Sequence, residues 1–329
     1  MSRMRAAVVA GHLCVDLVPE LLALPSTGPG DLAEVGALHL SPGGCVANTG
    51  GDLAALGATV AVVGDVGDDE LGTVLVHLLA ARGTRTDQVR RRVGHSTSYS
   101  IVLQPPGRDR SFWHHVGANA AFDGSAVELD GAGLLHVGYP SLLPALMASD
   151  ADPLVALLTR ARTAGVTTSL DLAVLDPDSP AVALDWPRLL ARILPLVDVM
   201  TPSADDVRTA LRVEPEGLAQ TADRLVRLGA AVVMVTGGPD GLALQTANAD
   251  RLEHAGAMFA EEERRQAWAD CVDFTPALKV EVRTTLGAGD AATAGLLYGV
   301  LAGLDPGASL RLAAETAAAR VAGDAIARR

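Results

Sequence analysis

Along the chain, short apolar runs alternate with longer stretches whose apolar positions recur three and four residues apart. Residues 6–10 predict a buried strand, ended by Gly11. Residues 19–35 are rich in Pro, Gly and small side chains and read as a loop, and Pro42-Gly43-Gly44 forms a second break. Residues 46–56 predict a tightly packed helix that stops at Gly57, residues 58–64 another buried strand, and residues 70–81 a helix ended by Gly83. Between residues 94 and 122 the pattern changes. Residues 96–104 and 110–116 alternate more strictly, with Pro105-Pro106-Gly107 between them, the signature of a hairpin in a small sheet apart from the main core.

The second half returns to the earlier rhythm. Strands are expected at 133–137, 166–172, 197–201 and 230–236, and helices at 153–164, 186–196 and 221–228. Repeated strand–helix alternation predicts the α/β class: one doubly wound, mainly parallel sheet with helices on both faces, spanning residues 1–329. Residues 246–278 fit the rhythm poorly and read as a loop with a short helix at 261–269. Residues 280–283 read as a strand and Arg90-Arg91-Arg92 as a solvated loop.

Composition narrows the function. The 329 residues are 49% apolar, enough for one large core, and the net charge is −13. Lys279 is the only lysine among 26 basic residues. No G-x-x-x-x-G-K-S/T loop exists, so a P-loop is excluded, and Lys279 lacks the strand context of a protein-kinase lysine. An acidic chain with 3% aromatics is a poor nucleic-acid binder. Cys14, Cys45 and Cys271 are too widely spaced for a metal pair or a disulfide framework, which points to a reducing cytoplasm. No apolar stretch of about 18 residues is present, so no membrane span is expected.

The sharpest chemical feature is Thr284-Thr285-Leu286-Gly287-Ala288-Gly289-Asp290, followed by a run of small residues that reads as a helix. A glycine turn that opens a helix presents free backbone N–H groups, and the helix dipole favours negative charge there. Asp290 falls in the first turn. It is either a carboxylate that stabilises its own helix or a base beside a phosphate site. Upstream, Gly43 and Gly44 permit close approach to a ligand, and Asn48 offers a donor and an acceptor to a polyol or caps a helix. Asp16 follows the first strand, where open α/β sheets bind ligands, and is otherwise a loop carboxylate.

Taken together, these residues resemble the ribokinase/PfkB-like carbohydrate kinase family over nearly the whole chain. The resemblance includes Gly11-x-x-x-x-Asp16, Gly43-Gly44-x-x-x-Asn48, Gly117-Ala118-Asn119-Ala120, Thr236-Gly237-Gly238-Pro239-Asp240-Gly241 and the final Gly287-Ala288-Gly289-Asp290. It implies transfer of the γ-phosphoryl group of ATP to a sugar hydroxyl, with Mg2+. In that reading Asp290 is the general base, and the backbone of Gly287, Ala288 and Gly289 is the anion hole. Asp16, Gly43, Gly44, Asn48 and Asn119 bind sugar, while Ser203, Thr236, Gly238, Gly241 and Thr285 lie at the nucleotide. It also implies a β-lid near residues 12–18, 35–42 and 94–116, which in relatives often joins a homodimer.

Three departures stand out. Thr284 replaces the family's Asp, which weakens the expectation of a K+ site. Ser203-Ala204-Asp205-Asp206 replaces Asn-x-x-Glu, so Asp206 keeps a carboxylate, toward Mg2+ through water, on a shorter arm. Val116 replaces an Arg found in relatives that take anionic sugars. His114 and His115 are adjacent on a strand, so at most one faces the sugar, and Arg108 or Arg110 is either solvated or folded over phosphate. The rival readings are a nucleoside kinase of the same fold, with Phe112 and Trp113 against a base, a non-catalytic sugar- or nucleotide-binding relative, and a dinucleotide-binding dehydrogenase. No G-x-G-x-x-G follows the first strand, which disfavours the last.

Overall fold

The computed structural model describes residues 4–25, 28–106, 110–213 and 217–329. Gly107 and Arg108, part of the expected hairpin turn, lie outside the described residues. In chain order the elements are β1 (Ala6–Gly11), β2 (Cys14–Pro19), β3 (Leu38–Gly43), α1 (Cys45–Leu56), β4 (Val60–Gly67), α2 (Glu70–Ala81), β5 (Arg85–Arg92), β6 (Tyr99–Leu103), β7 (Ser111–His115) and β8 (Ala132–Gly138). They continue with α3 (Ala148–Thr163), β9 (Thr167–Asp171), α4 (Trp186–Ile193), β10 (Val199–Met200), α5 (Ala204–Leu211), α6 (Leu218–Arg227), β11 (Val232–Thr236) and β12 (Leu242–Thr246). The last are α7 (Ala249–Glu253), α8 (Glu262–Trp268), β13 (Val272–Thr275), α9 (Ala288–Ala302) and α10 (Pro306–Ala322).

Nine strands form one sheet in the order β13-β12-β11-β10-β9-β8-β1-β4-β5. From β11 to β5 the pairs are parallel, whereas β12 and β13 run antiparallel at one edge. The central strands are mostly apolar because both faces are covered. Ala7 and Val9 of β1 point into the core beneath α1, α2, α9 and α10, while Val8 and Ala10 point into the core beneath α3 to α6. Strand order turns around β1, with β4 on one side and β8 on the other. The crevice outside the carboxyl ends of these strands is the place where such sheets bind ligands.

A second, separate sheet has four strands in the order β3-β2-β6-β7. Its strands come from the three segments expected to contribute a small sheet, and β6 and β7 pair as the expected hairpin.

Three readings from sequence are corrected. Arg90-Arg91-Arg92 is not a loop but the end of edge strand β5. Two of its charges are used inward: Arg90 Nε donates to Asp65 Oδ1 at 2.9 Å and Arg92 Nε to Asp65 Oδ2 at 2.8 Å, and the Asp65 side chain is fully buried. Residues 280–283 form no strand. Their alternation finds no sheet edge, Val282 is exposed, and the amides of Arg283 and Thr284 bond to the carbonyl of Val321 at the end of α10. Residues 246–278 hold α7 and β13 as well as the expected α8; an antiparallel edge strand does not follow a strand–helix rhythm.

Asp65 is the buried carboxylate that Arg90 and Arg92 share. Replacing it by Ala strips two half-buried guanidiniums of that partner. Asp65→Ala is expected to cost about 3 kcal/mol, measured as a lower urea midpoint with an unchanged slope.

Candidate active site

The chain from Thr284 onward reaches the crevice as a turn. Gly287 is the N-cap of α9 at φ 73° and ψ 13°, a left-handed conformation suited to glycine. Ala288 and Gly289 already belong to the first helical turn. There the amides of Gly289 and Asp290 have no intrahelical acceptor. A side chain built on Gly289 would meet nothing within 4 Å, so the space beside its Cα is open. Free amides at a helix start suit an anion without any lysine.

Asp290 is only 3% exposed. Asn48 Nδ2 donates to its Oδ2 at 3.1 Å, Thr49 Oγ1 to its Oδ1 at 3.2 Å, and the Tyr139 hydroxyl lies 2.9 Å from both oxygens. Burial raises the Asp290 pKa. The hydrogen bonds from Tyr139, Asn48 and Thr49 and the charge of Arg320 oppose that shift without cancelling it. The helix bearing Asn48 and Thr49 is thus packed against the one bearing Asp290, with Tyr139 entering from the end of β8.

Across the crevice, Asp16 on β2 is 5% exposed, and burial raises its pKa to about 6. It pairs across the small sheet with Ser41 and Ser100, and Cys14 Sγ donates to its Oδ1 at 3.4 Å. Gly43 makes room for it: a Cβ there would collide with the Asp16 carboxylate. Gly44 is the N-cap of α1, and a Cβ on it would strike the His12 carbonyl.

Side chains of β7 and its approach tie the small sheet to the large one. His12 Nε2, just past β1, lies 3.3 Å from His114 Nε2 on β7, whose Nδ1 meets Ser100 Oγ at 3.0 Å. Arg110, before β7, hydrogen-bonds Thr285 Oγ1 beside the turn at Gly287. Of the two histidines, His114 is the one joined to the crevice, whereas His115 bonds Ser96.

The remaining sequence candidates divide. Asn119 is fully buried, and its amide is used on the backbone of Leu13: Leu13 N donates to Oδ1 at 3.2 Å, and Nδ2 donates to Leu13 O at 2.8 Å. It braces the turn between β1 and β2 rather than facing the crevice. Ser203 and Asp206 form a capping box on α5. Ser203 Oγ accepts from Asp206 N at 3.1 Å and Asp206 Oδ2 from Ser203 N at 2.8 Å. Burial raises the Asp206 pKa to about 6. Ser203 bridges Thr236 at the end of β11, and Gly238 and Gly241 take positive φ in the turn that follows. Thr284 Oγ1 accepts from Leu286 N at 3.1 Å, shaping the approach to the glycine turn.

Tyr139, Thr49, His12 and Asp171 were missed as site residues. Tyr139 and Asp171 stand at the carboxyl ends of β8 and β9, and that position after an apolar run was the available signal. Asp171 is 5% exposed, and its pKa is pushed up by burial, then by Asp206 and Asp290.

A nine-stranded, mostly parallel sheet with a separate four-stranded sheet is the ribokinase-like architecture. The structure of Arabidopsis thaliana ribokinase complexed with ribose and ATP matches with a TM-score of 0.74 at 21% identity, covering 97% of this chain and 93% of that one. A putative ribokinase II from E. coli, in complex with ATP and Mg2+, matches with a TM-score of 0.72 at 20% identity, covering 98% and 94%. Probable fructokinase-6, chloroplastic, of Arabidopsis thaliana is 26% identical over 295 residues, 88% of this chain and 68% of that protein. The model of the pfkB family carbohydrate kinase matches residues 4–324, and the chain belongs to that family, phosphotransferases with an alcohol group as acceptor.

Removing the Asn119 side chain leaves a buried N–H and a buried C=O of Leu13 without these partners. Asn119→Ala is expected to lower unfolding free energy by about 2–4 kcal/mol, read from chemical denaturation.

Proposed function

We propose that this chain is an ATP- and Mg2+-dependent sugar kinase that phosphorylates a hydroxyl of a neutral monosaccharide, with D-fructose the first acceptor to test. One observation carries the reading: a buried carboxylate, Asp290, lies in the same helical turn as amides without intrahelical acceptors, beside open space at Gly289. The base and the phosphate site are then adjacent, as in-line transfer requires. The likeness to a plant fructokinase and the absence of an Arg at Val116 both favour a neutral sugar.

In this mechanism Asp16 accepts hydrogen bonds from two sugar hydroxyls at the floor of the small sheet, which orients the acceptor. Asp290 takes the proton of the attacking hydroxyl. The Gly289 and Asp290 amides donate to the oxygens of the transferring group as charge builds there. Ser203, Thr236 and the turn at Gly238 to Gly241 form the nucleotide side. Asp206 has one oxygen on its own capping bond, which leaves the other for a water of a hydrated cation. That arrangement fits Mg2+, a cation that keeps several waters and binds mainly to phosphate. When bound, Mg2+ supplies charge neutralisation on the phosphates. Arg110, already on Thr285, is placed to hold the small sheet closed over the phosphate and to keep water out. The Arg110 guanidinium lies over Phe112, 5.6 Å from the ring centroid, so Phe112 is not a free stacking platform, which favours a sugar over a nucleoside.

The small sheet is also the proposed dimer surface. On the face opposite Asp16, its edge strands β3 and β7 expose Leu38, Leu40 and Trp113, and a second copy covers them. Analytical ultracentrifugation is expected to give twice the chain mass, and Leu38→Glu with Leu40→Glu to halve it. None of the described helices is long and apolar enough to cross a membrane. All three cysteines are free, which supports a reducing compartment such as the cytoplasm.

Asp290→Asn is expected to keep sugar binding within about threefold and to lower turnover by about 10²–10⁴-fold, measured by coupled ADP release with D-fructose and a panel of other sugars and nucleosides. The reaction needs ionised Asp290. Because burial raises its pKa, the acid limb of kcat/KM is expected above the ordinary carboxylate value of about 4, with activity falling as pH drops through it. Wild-type turnover in Asp290→Asn rejects the assignment.

A further inference from the structure

Tyr139 stands immediately after β8 with φ 60° and ψ 53°, a left-handed backbone that tyrosine adopts only under constraint. Its amide is held by the carbonyl of Asp171 at 3.3 Å. Its ring lies 6.0 Å from that of His12, which in turn meets His114 of the small sheet. These restraints aim one hydroxyl at one carboxylate: the Tyr139 oxygen is 2.9 Å from Asp290 Oδ1 and 2.9 Å from Oδ2.

The proton count at Asp290 gives this contact a meaning. Thr49 commits a hydrogen to Oδ1 and Asn48 commits one to Oδ2. Tyr139 has a single hydrogen to divide between both oxygens. An acceptor hydroxyl must reach one of those oxygens with its own hydrogen. Of the three donors, only Tyr139 can yield one oxygen and keep a full bond to the other.

We infer that Tyr139 is the positioning residue of the general base: its hydroxyl spans both Asp290 oxygens in the free enzyme and settles on one when the acceptor hydroxyl takes the other. This rests on the reading of Asp290 as base. During transfer the acceptor O–H proton passes to the free Asp290 oxygen. The acceptor oxygen forms its bond to the γ-phosphorus, and the bond to the β–γ bridging oxygen breaks, releasing ADP. Tyr139 keeps its own proton throughout, since burial and the charge of Asp290 hold its pKa well above the usual phenol range.

Other groups also act on Asp290. Arg320 of α10 and Arg82, after α2, favour its ionised form. Asp16 of β2, Asp52 of α1, Asp171 of β9 and Asp206 of α5 oppose it. The thiols of Cys14 and Cys45 are held neutral by burial. None of these groups is altered by Tyr139→Phe, which keeps the ring and removes only the hydroxyl.

The test reads Asp290 directly. In substrate-free protein carrying 13C-labelled aspartate carboxyls, the Asp290 resonance is identified by its loss in Asp290→Asn. Tyr139→Phe is expected to raise its titration midpoint by about one pH unit, because a donor to the ionised form is lost. 3-Fluorotyrosine at position 139, a stronger donor that preserves the fold, is expected to lower it. With ATP, Mg2+ and D-fructose, Tyr139→Phe is expected to reduce kcat about ten- to hundredfold, with KM for the sugar within about threefold and the acid limb moved upward. A midpoint unmoved in both variants overturns the inference. If Asp290→Asn is inactive while Tyr139→Phe leaves both midpoint and kcat unchanged, the Tyr139 role falls and the base assignment stands. If Asp290→Asn is fully active, the base assignment falls, whatever the midpoints show.

Discussion

Burying the carboxylate of Asp290 is the constraint on which this structure turns. A carboxylate taken out of water needs donors, and here they come from separate parts of the chain: Asn48 and Thr49 of α1, and Tyr139 beyond β8. Each donor fixes the placement of its own element. The N-terminal ends of α1 and α9 must meet, and the exit of β8 must turn sharply enough to bring the tyrosine in, at the expense of a left-handed backbone. A charged layer lies behind them. Arg320 of α10 pairs with Asp52 on the buried side of α1, so α10 is tied to the helix whose donors hold Asp290. The small-residue surface of α9 permits that close assembly: a Cβ on Gly295 would lie 2.6 Å from the Cα of Ala313 in α10.

The crevice has two sides with different physics. The large sheet and α9 offer backbone amides and a helix dipole, a field suited to phosphate. The small sheet offers Asp16, a buried acceptor suited to hydroxyls, in a space kept open by Gly43. The joints between the sides are specific: the Asn119 amide on Leu13, the His12–His114 contact, and Arg110 on Thr285. Under the proposed function, a chain with net charge −13 and one lysine would draw its positive potential toward phosphate from peptide dipoles and from arginine.

Much of this was legible in the sequence where local chemistry and final structure agree. The strands around β1, the helix ended by Gly57 and the glycine turn before α9 follow from apolar runs and from residues that stop them. The failures share a cause. Arg90 and Arg92 look like solvent-facing charge, and only pairing of β5 beside β4 reveals Asp65 beneath them. Val280 and Val282 alternate like a strand, but they pair with no described strand. Asn119 carries a family motif, yet its amide is consumed by a backbone more than a hundred residues away. Tyr139 and Asp171 were passed over because a single polar residue after an apolar run has no local signature of function.

By itself, the sequence determined the layered α/β class, the places where strands end and glycine turns begin, and a glycine turn that opens a helix with an aspartate in its first turn. Those properties depend on neighbours within a few residues: side-chain periodicity, turn chemistry and helix termini. Tertiary structure alone decided which side chains share the space around Asp290, which arginines are spent on buried carboxylates, and which strands have a partner. Such outcomes depend on contacts between residues far apart in the chain. Burial then sets their strength, by removing the water that would otherwise satisfy each charge separately.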